Sequence, residues 1–269
     1  MLDAEAVDRR ARKSPTERFE IRFPAHDGGV DQDEEFCEVT VGGRRRRIRF
    51  HDYGEIYSIP GLYEHLFYDR LRCTSPEVVR SLLEQELSKV GVPASDLAVI
   101  DIGAGNGMMG EQLQRMGASA LVGVDIIEEA AVAAKRDRPD VYREYRVLDL
   151  TELTDADRAA LEGHRFNGLT TVAALGFGDM PPLALAEAFN MLSLGGWVAF
   201  TIKDDFLHAR HETGFSRLVR HRSEQGPLEI ADTRRYQHRL SAAGEPLFYQ
   251  ALVGRKRSDV PLDWATEAG

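Results

Sequence analysis

Val99-Ile100-Asp101-Ile102-Gly103-Ala104-Gly105-Asn106-Gly107 is the stretch whose reading decides the fold. Leu97–Ile102 is a short apolar run interrupted only by Asp101, the pattern of a parallel strand buried on both faces. The glycines after it let the backbone turn tightly and approach a ligand with no Cβ in the way, just before a helix opens. A glycine-rich loop between strand and helix fits several nucleotide binders. Here the spacing is GxGxG, with an acid two residues before the first glycine. Counted from Gly103 the sixth position is Met108 and not glycine, whereas Gly105-Asn106-Gly107-Met108-Met109-Gly110 does read as the GxGxxG of dinucleotide-binding folds; no GxxxxGK[ST] phosphate loop occurs.

Working outward, the same theme repeats. Apolar runs at Ala120–Val124, Tyr145–Leu148, Leu169–Ala174 and Trp197–Ile202 alternate with helical stretches at 108–117, 127–136, 154–162 and 182–192. That alternation predicts βαβ units with right-handed crossovers and a doubly wound, mostly parallel sheet. Arg235–Ser241 and Leu247–Gly254, joined by a turn at 242–245, leave no room for a helix, so the sheet should end in an antiparallel hairpin. Upstream, Phe36–Val41, Gly42-Gly43 and Arg44–Phe50 read as a β-hairpin, the glycines supplying positive φ angles. Residues 54–90 read as helical, with Ser75 as an N-cap before Pro76 and a stop at Gly91-Val92-Pro93. The expected organisation is a tail and hairpin appendage over 1–53, a helical lid over 54–90 and a core over 91–269.

Two further acids follow the glycine loop. Asp125 ends Leu121-Val122-Gly123-Val124-Asp125, 20 residues after Gly105, where an acid can accept hydrogen bonds from both hydroxyls of a ribose. Asp149 ends the third strand in Arg146-Val147-Leu148-Asp149-Leu150. Ligands of open α/β sheets bind beyond the carboxyl ends of the strands, so the three loops should converge on one edge.

DIGAGNG, VGVDI and VLDL, in that order and spacing, resemble the class I S-adenosylmethionine-dependent methyltransferases. Leu192-Ser193-Leu194-Gly195-Gly196-Trp197 resembles the family's approach to its fifth strand, and the C-terminal hairpin resembles its reversed seventh strand. The resemblance spans about residues 75–256. It implies a seven-stranded core with S-adenosyl-L-methionine as cofactor. Gly103, Ala104, Gly105, Asn106 and Gly107 would line its methionine end with Asp101 beneath. Asp125 and Ile126 would take the ribose, Asp149 and Leu150 would bracket the adenine, and Ala174 would close the fourth-strand side. Each acid has a plainer reading, since an Asp at a strand end is often only a helix cap.

On the acceptor side, Leu175–Leu183 carries Asp179-Met180-Pro181-Pro182-Leu183 where amine-directed relatives carry [DN]PP[YF]. The extra residue and missing aromatic disfavour base N-methylation, and the prolines read as a helix start. After the fifth strand, Lys203 and His208 are the candidates. His208 shares a helical face with His211 and is positioned to act as a base, while a solvated charged face is the plain reading. No metal is expected. Tyr57, Tyr63 and His65, in the aromatic stretch Tyr53–Tyr68, are candidates for the acceptor pocket, with Leu62, Leu66 and Phe67 forming an inward stripe. Arg44–Arg47 face Glu38 and the acidic loop 31–35, so cross-strand neutralisation is expected, on a hairpin that is solvated or contacts a second copy in a homodimer.

Composition bounds these readings. The chain has 269 residues, 43% hydrophobic, and a net charge of −10. Residues 1–50 are neutral, with 11 basic and 11 acidic side chains, so the whole excess lies in 51–269. An acidic surface is a poor partner for nucleic acid in general. Cys37 and Cys73 make no CxxC pair and are too few for a disulfide framework. The start lacks the basic stretch and apolar run of a signal peptide, and no window reaches the roughly 20 apolar residues of a membrane span, so a soluble, cytoplasmic protein is expected. The expected function is methyl transfer to an O, N or C nucleophile of a small molecule. A protein methyltransferase, an NAD-dependent oxidoreductase and a non-catalytic cofactor-binding interaction module are the rivals.

Overall fold

The structure is a computed structural model that describes residues 19–24, 31–176, 179–204 and 226–263. Seven strands build the central sheet: β4 (Ala98–Ile102), β5 (Ala120–Asp125), β6 (Glu144–Val147), β7 (Gly168–Leu175), β8 (Trp197–Lys203), β9 (Leu228–Leu240) and β10 (Pro246–Lys256). Their order is β6-β5-β4-β7-β8-β10-β9. Pairing is parallel from β6 to β8, and β10 runs antiparallel to both β8 and β9. The expected α/β fold is what forms. The order reverses at β4, so the loops after β4 and β7 diverge there and leave a crevice at the strand ends.

Alternation along the buried strands sorts their side chains onto two faces. Ile100, Val122, Val198 and Phe200 pack with Leu161 of α6 (Asp155–Glu162) and with Leu185 and Phe189 of α7 (Pro182–Asn190). Val99, Leu121, Trp197 and Ala199 pack on the other side, with Leu82 and Leu83 of α3 (Ser75–Lys89) and Leu113 of α4 (Met108–Met116). Helix α5 (Glu128–Asp137) follows β5. Each side chain buried here is stabilised by about 1.5–3 kcal/mol relative to exposure.

The N-terminal segment forms a second sheet in the order β1-β2-β3: β1 (Glu20–Arg22), β2 (Phe36–Val41) and β3 (Arg44–Arg49). The hairpin was legible in the sequence; β1, only three residues long, was not. Of the four arginines, only Arg45 follows the expected pairing with Glu38 across the hairpin; the next two find other partners. Arg45 lies 3.4 Å from Glu38, Arg46 lies 3.6 Å from Glu55, and the Arg47 guanidinium covers the Phe36 ring.

The stretch 54–90 is not one helical run. It divides into α1 (Tyr53–Ser58), α2 (Leu62–Glu64), a π-helical stretch (His65–Arg70) and α3. Pro60 and Gly61, the latter with φ of +79°, break the first helix. Ser75 is not the N-cap either. Thr74 occupies that position, and the Ser75 hydroxyl lies inside α3, 2.6 Å from both Tyr236 Oη and His238 Nδ1. A buried hydroxyl takes whatever partner tertiary packing supplies. Strand β9 begins seven residues earlier than the expected Arg235; its first half alternates exposed and half-buried residues on a sheet edge.

The two sheets share more than a covalent link. Glu35, expected in a polar loop, is buried and accepts hydrogen bonds from Arg239 Nη2 of β9 at 2.6 Å and from the Ala242 backbone N–H at 2.5 Å. Ala242 also joins the apolar cluster of the small sheet and lid, with Ile48, Phe50, Ile56, Leu62 and Leu66. The N-terminal segment is thus packed against the β9–β10 end of the core.

Candidate methyltransferase site

The site grows out of the loop after β4. Gly103 and Gly105 have φ of +66° and +54°, a region that L side chains rarely adopt. Close approach adds a second demand. A Cβ on Gly103 would lie 2.8 Å from the Ala174 Cβ, and one on Gly105 would overlap the Tyr57 hydroxyl. The glycines let β7 and the lid close on the loop.

Asp125 joins two loops at the end of β5. Its Oδ2 accepts from the Gly105 backbone N–H at 2.8 Å and its Oδ1 from that of Ile127 at 3.0 Å. It is 8% exposed, and burial raises its pKa against the opposing effect of those N–H groups. Asp101 is 1% exposed and accepts from Thr170 Oγ1 and Tyr142 Oη, each at 2.6 Å. Burial outweighs both hydrogen bonds and pushes its carboxyl up to about 6. Asp149 differs in kind. It is exposed, and the Thr151 hydroxyl and backbone N–H, at 2.6 and 2.8 Å from Oδ1, hold its carboxyl below the ordinary value. It caps the turn after β6 while standing on the cleft wall.

Three cavities open at this edge. A cleft of about 820 Å³, open solvent at its mouth included, gathers Gly103, Asp125, Ile126, Asp149, Leu150 and Ala174 with Tyr57 and Tyr63 of the lid. A pocket of about 370 Å³ gathers Asp101, Gly103, Ala104, Gly105 and Asn106 beneath Tyr57, Tyr63 and Tyr68. A third chamber, of about 520 Å³ with open solvent again included, lies between the small sheet, the lid and the β9–β10 end. Tyr63 and Ala173 line all three. Ala173 sits at an irregularity of β7 with φ of +59°, held by its backbone N–H donating to Thr201 Oγ1 at 2.8 Å. Such a bulge re-aims the strand where it meets a site.

Other candidates lie elsewhere. Gly107 lines none of these cavities and instead packs under Arg138 and Tyr142. His65 is bonded to Asp69 at 3.0 Å and meets the Phe19 ring edge-on, also outside the cavities. Lys203 ends β8 opposite Tyr249 and lines none of them. His208 is outside the described residues. Among the described residues, no group of three or more His, Cys, Asp or Glu side chains is placed to share a metal ion, and no helix is long and apolar enough to cross a membrane.

The walls also include residues that the sequence did not single out. Tyr53 and Asp179 lie inside stretches that attracted notice, but nothing local distinguished them from their neighbours. Gln32, His51, His238, Arg239 and Tyr249 reach the third chamber from segments far apart in the chain, and no sequence signal joins them.

Residues 100–200 match a family described as a methyltransferase domain. A search of curated protein sequences finds no match. Among solved structures, the N-methyltransferase NodS from Bradyrhizobium japonicum, in complex with S-adenosyl-L-homocysteine, is 16% identical with a TM-score of 0.53, over 78% of this chain and 98% of that one. That likeness is one of fold. Magnesium protoporphyrin IX methyltransferase from Synechocystis, with bound S-adenosylmethionine, is 17% identical with a TM-score of 0.45, over 68% and 79% of the two chains. A structure from Pyrococcus horikoshii provisionally described as an RNA methyltransferase is 15% identical with a TM-score of 0.48, over 69% and 88%. Residues 100–200 thus match a methyltransferase domain, within a fold like that of NodS. The cofactor that the sequence resemblance implies is S-adenosylmethionine.

The residues present suit that cofactor. The cleft and the glycine pocket are continuous at Gly103 and Val172, forming an elongated cradle with an apolar end at Leu148, Leu150 and Pro181 and a polar end at Asp101 and Asn106. The side-chain oxygen of Asn106 is buried without a hydrogen-bond partner, an acceptor in need of a donor.

Proposed function

We propose that this chain methylates a small molecule held in the third chamber, with the cofactor lying along the cleft and the glycine pocket. The observation that carries the reading is the junction at Tyr63 and Ala173, where a chamber of about 520 Å³ meets the cofactor cradle under the lid. When bound, S-adenosylmethionine supplies a methyl carbon made electrophilic by a positive sulfur. The chain supplies alignment and electrostatics.

In this reading Asp125 accepts hydrogen bonds from ribose hydroxyls while its other lone pairs hold Gly105 and Ile127 in place. Asp149 and Leu150 flank the adenine. Asp101, Asn106 and the Gly103–Gly105 backbone receive the methionine end. The phenols of Tyr53 and Tyr57 are buried, which keeps them neutral, and with Tyr63 they line the cradle with aromatic rings beside a positive charge. The chamber is walled by Phe50, Phe67 and Tyr249 and roofed by chain that precedes the core, which suits a compact acceptor more than a polymer. The acidic excess over residues 51–269 also favours a small acceptor over RNA.

The test incubates the protein with methyl-labelled S-adenosylmethionine and a cell extract, then separates low-mass compounds from RNA and protein. Label in the low-mass fraction is the expected result. Label confined to RNA or protein refutes the small-molecule reading, and calorimetry with S-adenosylhomocysteine checks cofactor binding separately.

A further inference from the structure

The third chamber contains a pair of side chains that the cofactor does not explain. His51, in the turn after β3, places Nδ1 2.9 and 3.1 Å from the two carboxylate oxygens of Asp179, in the loop after β7. His51 is 14% exposed at its side chain, and both residues line the chamber. Asp179 also lines the cofactor cleft, so its carboxylate stands between the chamber and that cleft.

A carboxylate only accepts hydrogen bonds, so in the neutral ring Nδ1 carries the proton and Nε2 keeps its lone pair. A carboxylate on Nδ1 also stabilises the imidazolium that forms when Nε2 takes up a proton. The other imidazole in the chamber is arranged differently. His238 Nδ1 is 2.6 Å from the Ser75 hydroxyl, and burial together with Arg239 holds its pKa well below the ordinary value, so a cation there is disfavoured. Aromatic rings form much of the remaining wall: Phe50, Tyr53, Tyr63, Phe67 and Tyr249. That wall suits a planar ring, and a ring hydroxyl is an acceptor that is protonated near neutral pH and nucleophilic once the proton is removed.

We propose that His51 is the general base of the reaction, oriented by Asp179 as a positioning residue, and that the acceptor is an aromatic hydroxyl of the phenol class. This rests on the small-molecule reading above. The acceptor oxygen gives its proton to His51 Nε2 and attacks the methyl carbon. The O–C bond forms as the C–S bond breaks, and the electron pair of that bond stays on sulfur, leaving a neutral thioether. The imidazolium returns its proton to water after product leaves. The base comes from the N-terminal segment and its partner from the core, so the pair exists only when the two are packed together.

The test has two arms. In the first, the full chain labelled with nitrogen-15 at histidine and loaded with S-adenosylhomocysteine is examined by long-range proton–nitrogen NMR, with His51→Gln assigning the signal. At the pH of maximal turnover His51 should be neutral with its proton on Nδ1, and Asp179→Asn should remove that preference. In the second arm, wild type and His51→Gln methylate substituted phenols of graded acidity. The variant should lower kcat by about 10²–10⁴-fold on phenols that are neutral at the assay pH, and far less on those already ionised. An imidazolium or an Nε2–H tautomer at that pH overturns the proposal. A loss that is uniform across the series, or confined to KM, makes the pair a lid latch and also overturns it. Turnover of other small molecules but of no phenol refutes the acceptor class. Label found only in RNA or protein refutes the underlying reading instead, and the tautomer arm, which needs no acceptor, keeps the two failures apart.

Discussion

Replacing Asp101 by Asn should change the pH dependence of stability more than its level at acid pH. The Asp101 carboxyl is ordinarily near 3.8 and is pushed up to about 6 by burial at the end of β4. Between those values the unfolded chain has released its proton while the folded chain keeps it. The unfolded state then binds fewer protons, so stability falls as pH rises. Below 3.8 both states are protonated, and above about 6 both are ionised, with the penalty at its full value. At about 1.4 kcal/mol per pH unit, the interval is worth about 3 kcal/mol. Asn carries no charge and loses this dependence. It also presents one acceptor instead of two, so either Thr170 or the Tyr142 hydroxyl must reorient, a constant cost of about 1 kcal/mol. Urea unfolding of both proteins from about pH 4 to about pH 8 reads the effect, which includes the loss of the charge that Asp101 presents to Asp125. The variant should be the less stable protein at the acid end and gain on wild type by about 3 kcal/mol toward the alkaline end. Parallel curves would show that burial is not what sets the Asp101 titration.

Three other substitutions probe the remaining contacts. Asp125→Ala removes the acceptor that ties Gly105 to Ile127 and should weaken S-adenosylhomocysteine binding by about 1–3 kcal/mol in calorimetry; unchanged affinity removes Asp125 from the cofactor site. Gly105→Ala puts an L side chain at φ of +54° and against the Tyr57 hydroxyl, so at least about 1–2 kcal/mol of unfolding free energy should be lost, with weaker cofactor binding as the lid is displaced. Glu35→Ala leaves Arg239 buried without its partner and should cost about 3–5 kcal/mol in denaturant unfolding; a loss under about 1 kcal/mol would mean that water reaches the Arg239 side chain readily.

The core was legible because its information is local. A buried parallel strand has to be a short apolar run, and the loop after β4 has to be glycine wherever a side chain would strain φ or strike β7. Val99–Gly107 carries those demands in consecutive residues, so the fold and its topology follow from the chain alone. The lid was half legible. Its aromatic stripe showed in the sequence and its division falls at the local breakers Pro60-Gly61, but the placement of Ser75 against Tyr236 and His238 depends on partners about 160 residues away. The third chamber was not legible. Glu35 reads as loop until Arg239 stands beside it, and His51 reads as an ordinary turn residue until β7 delivers Asp179. Histidine candidates drawn from the sequence therefore fell at 65 and 208, while the described imidazoles at the chamber are His51 and His238. Composition and spacing determine which segments become strands and where the glycine loop turns. Which polar groups face one another across the chamber is decided by how the N-terminal sheet docks on β9 and β10, because a charge or imidazole acquires its chemistry from neighbours that only packing brings within hydrogen-bond reach.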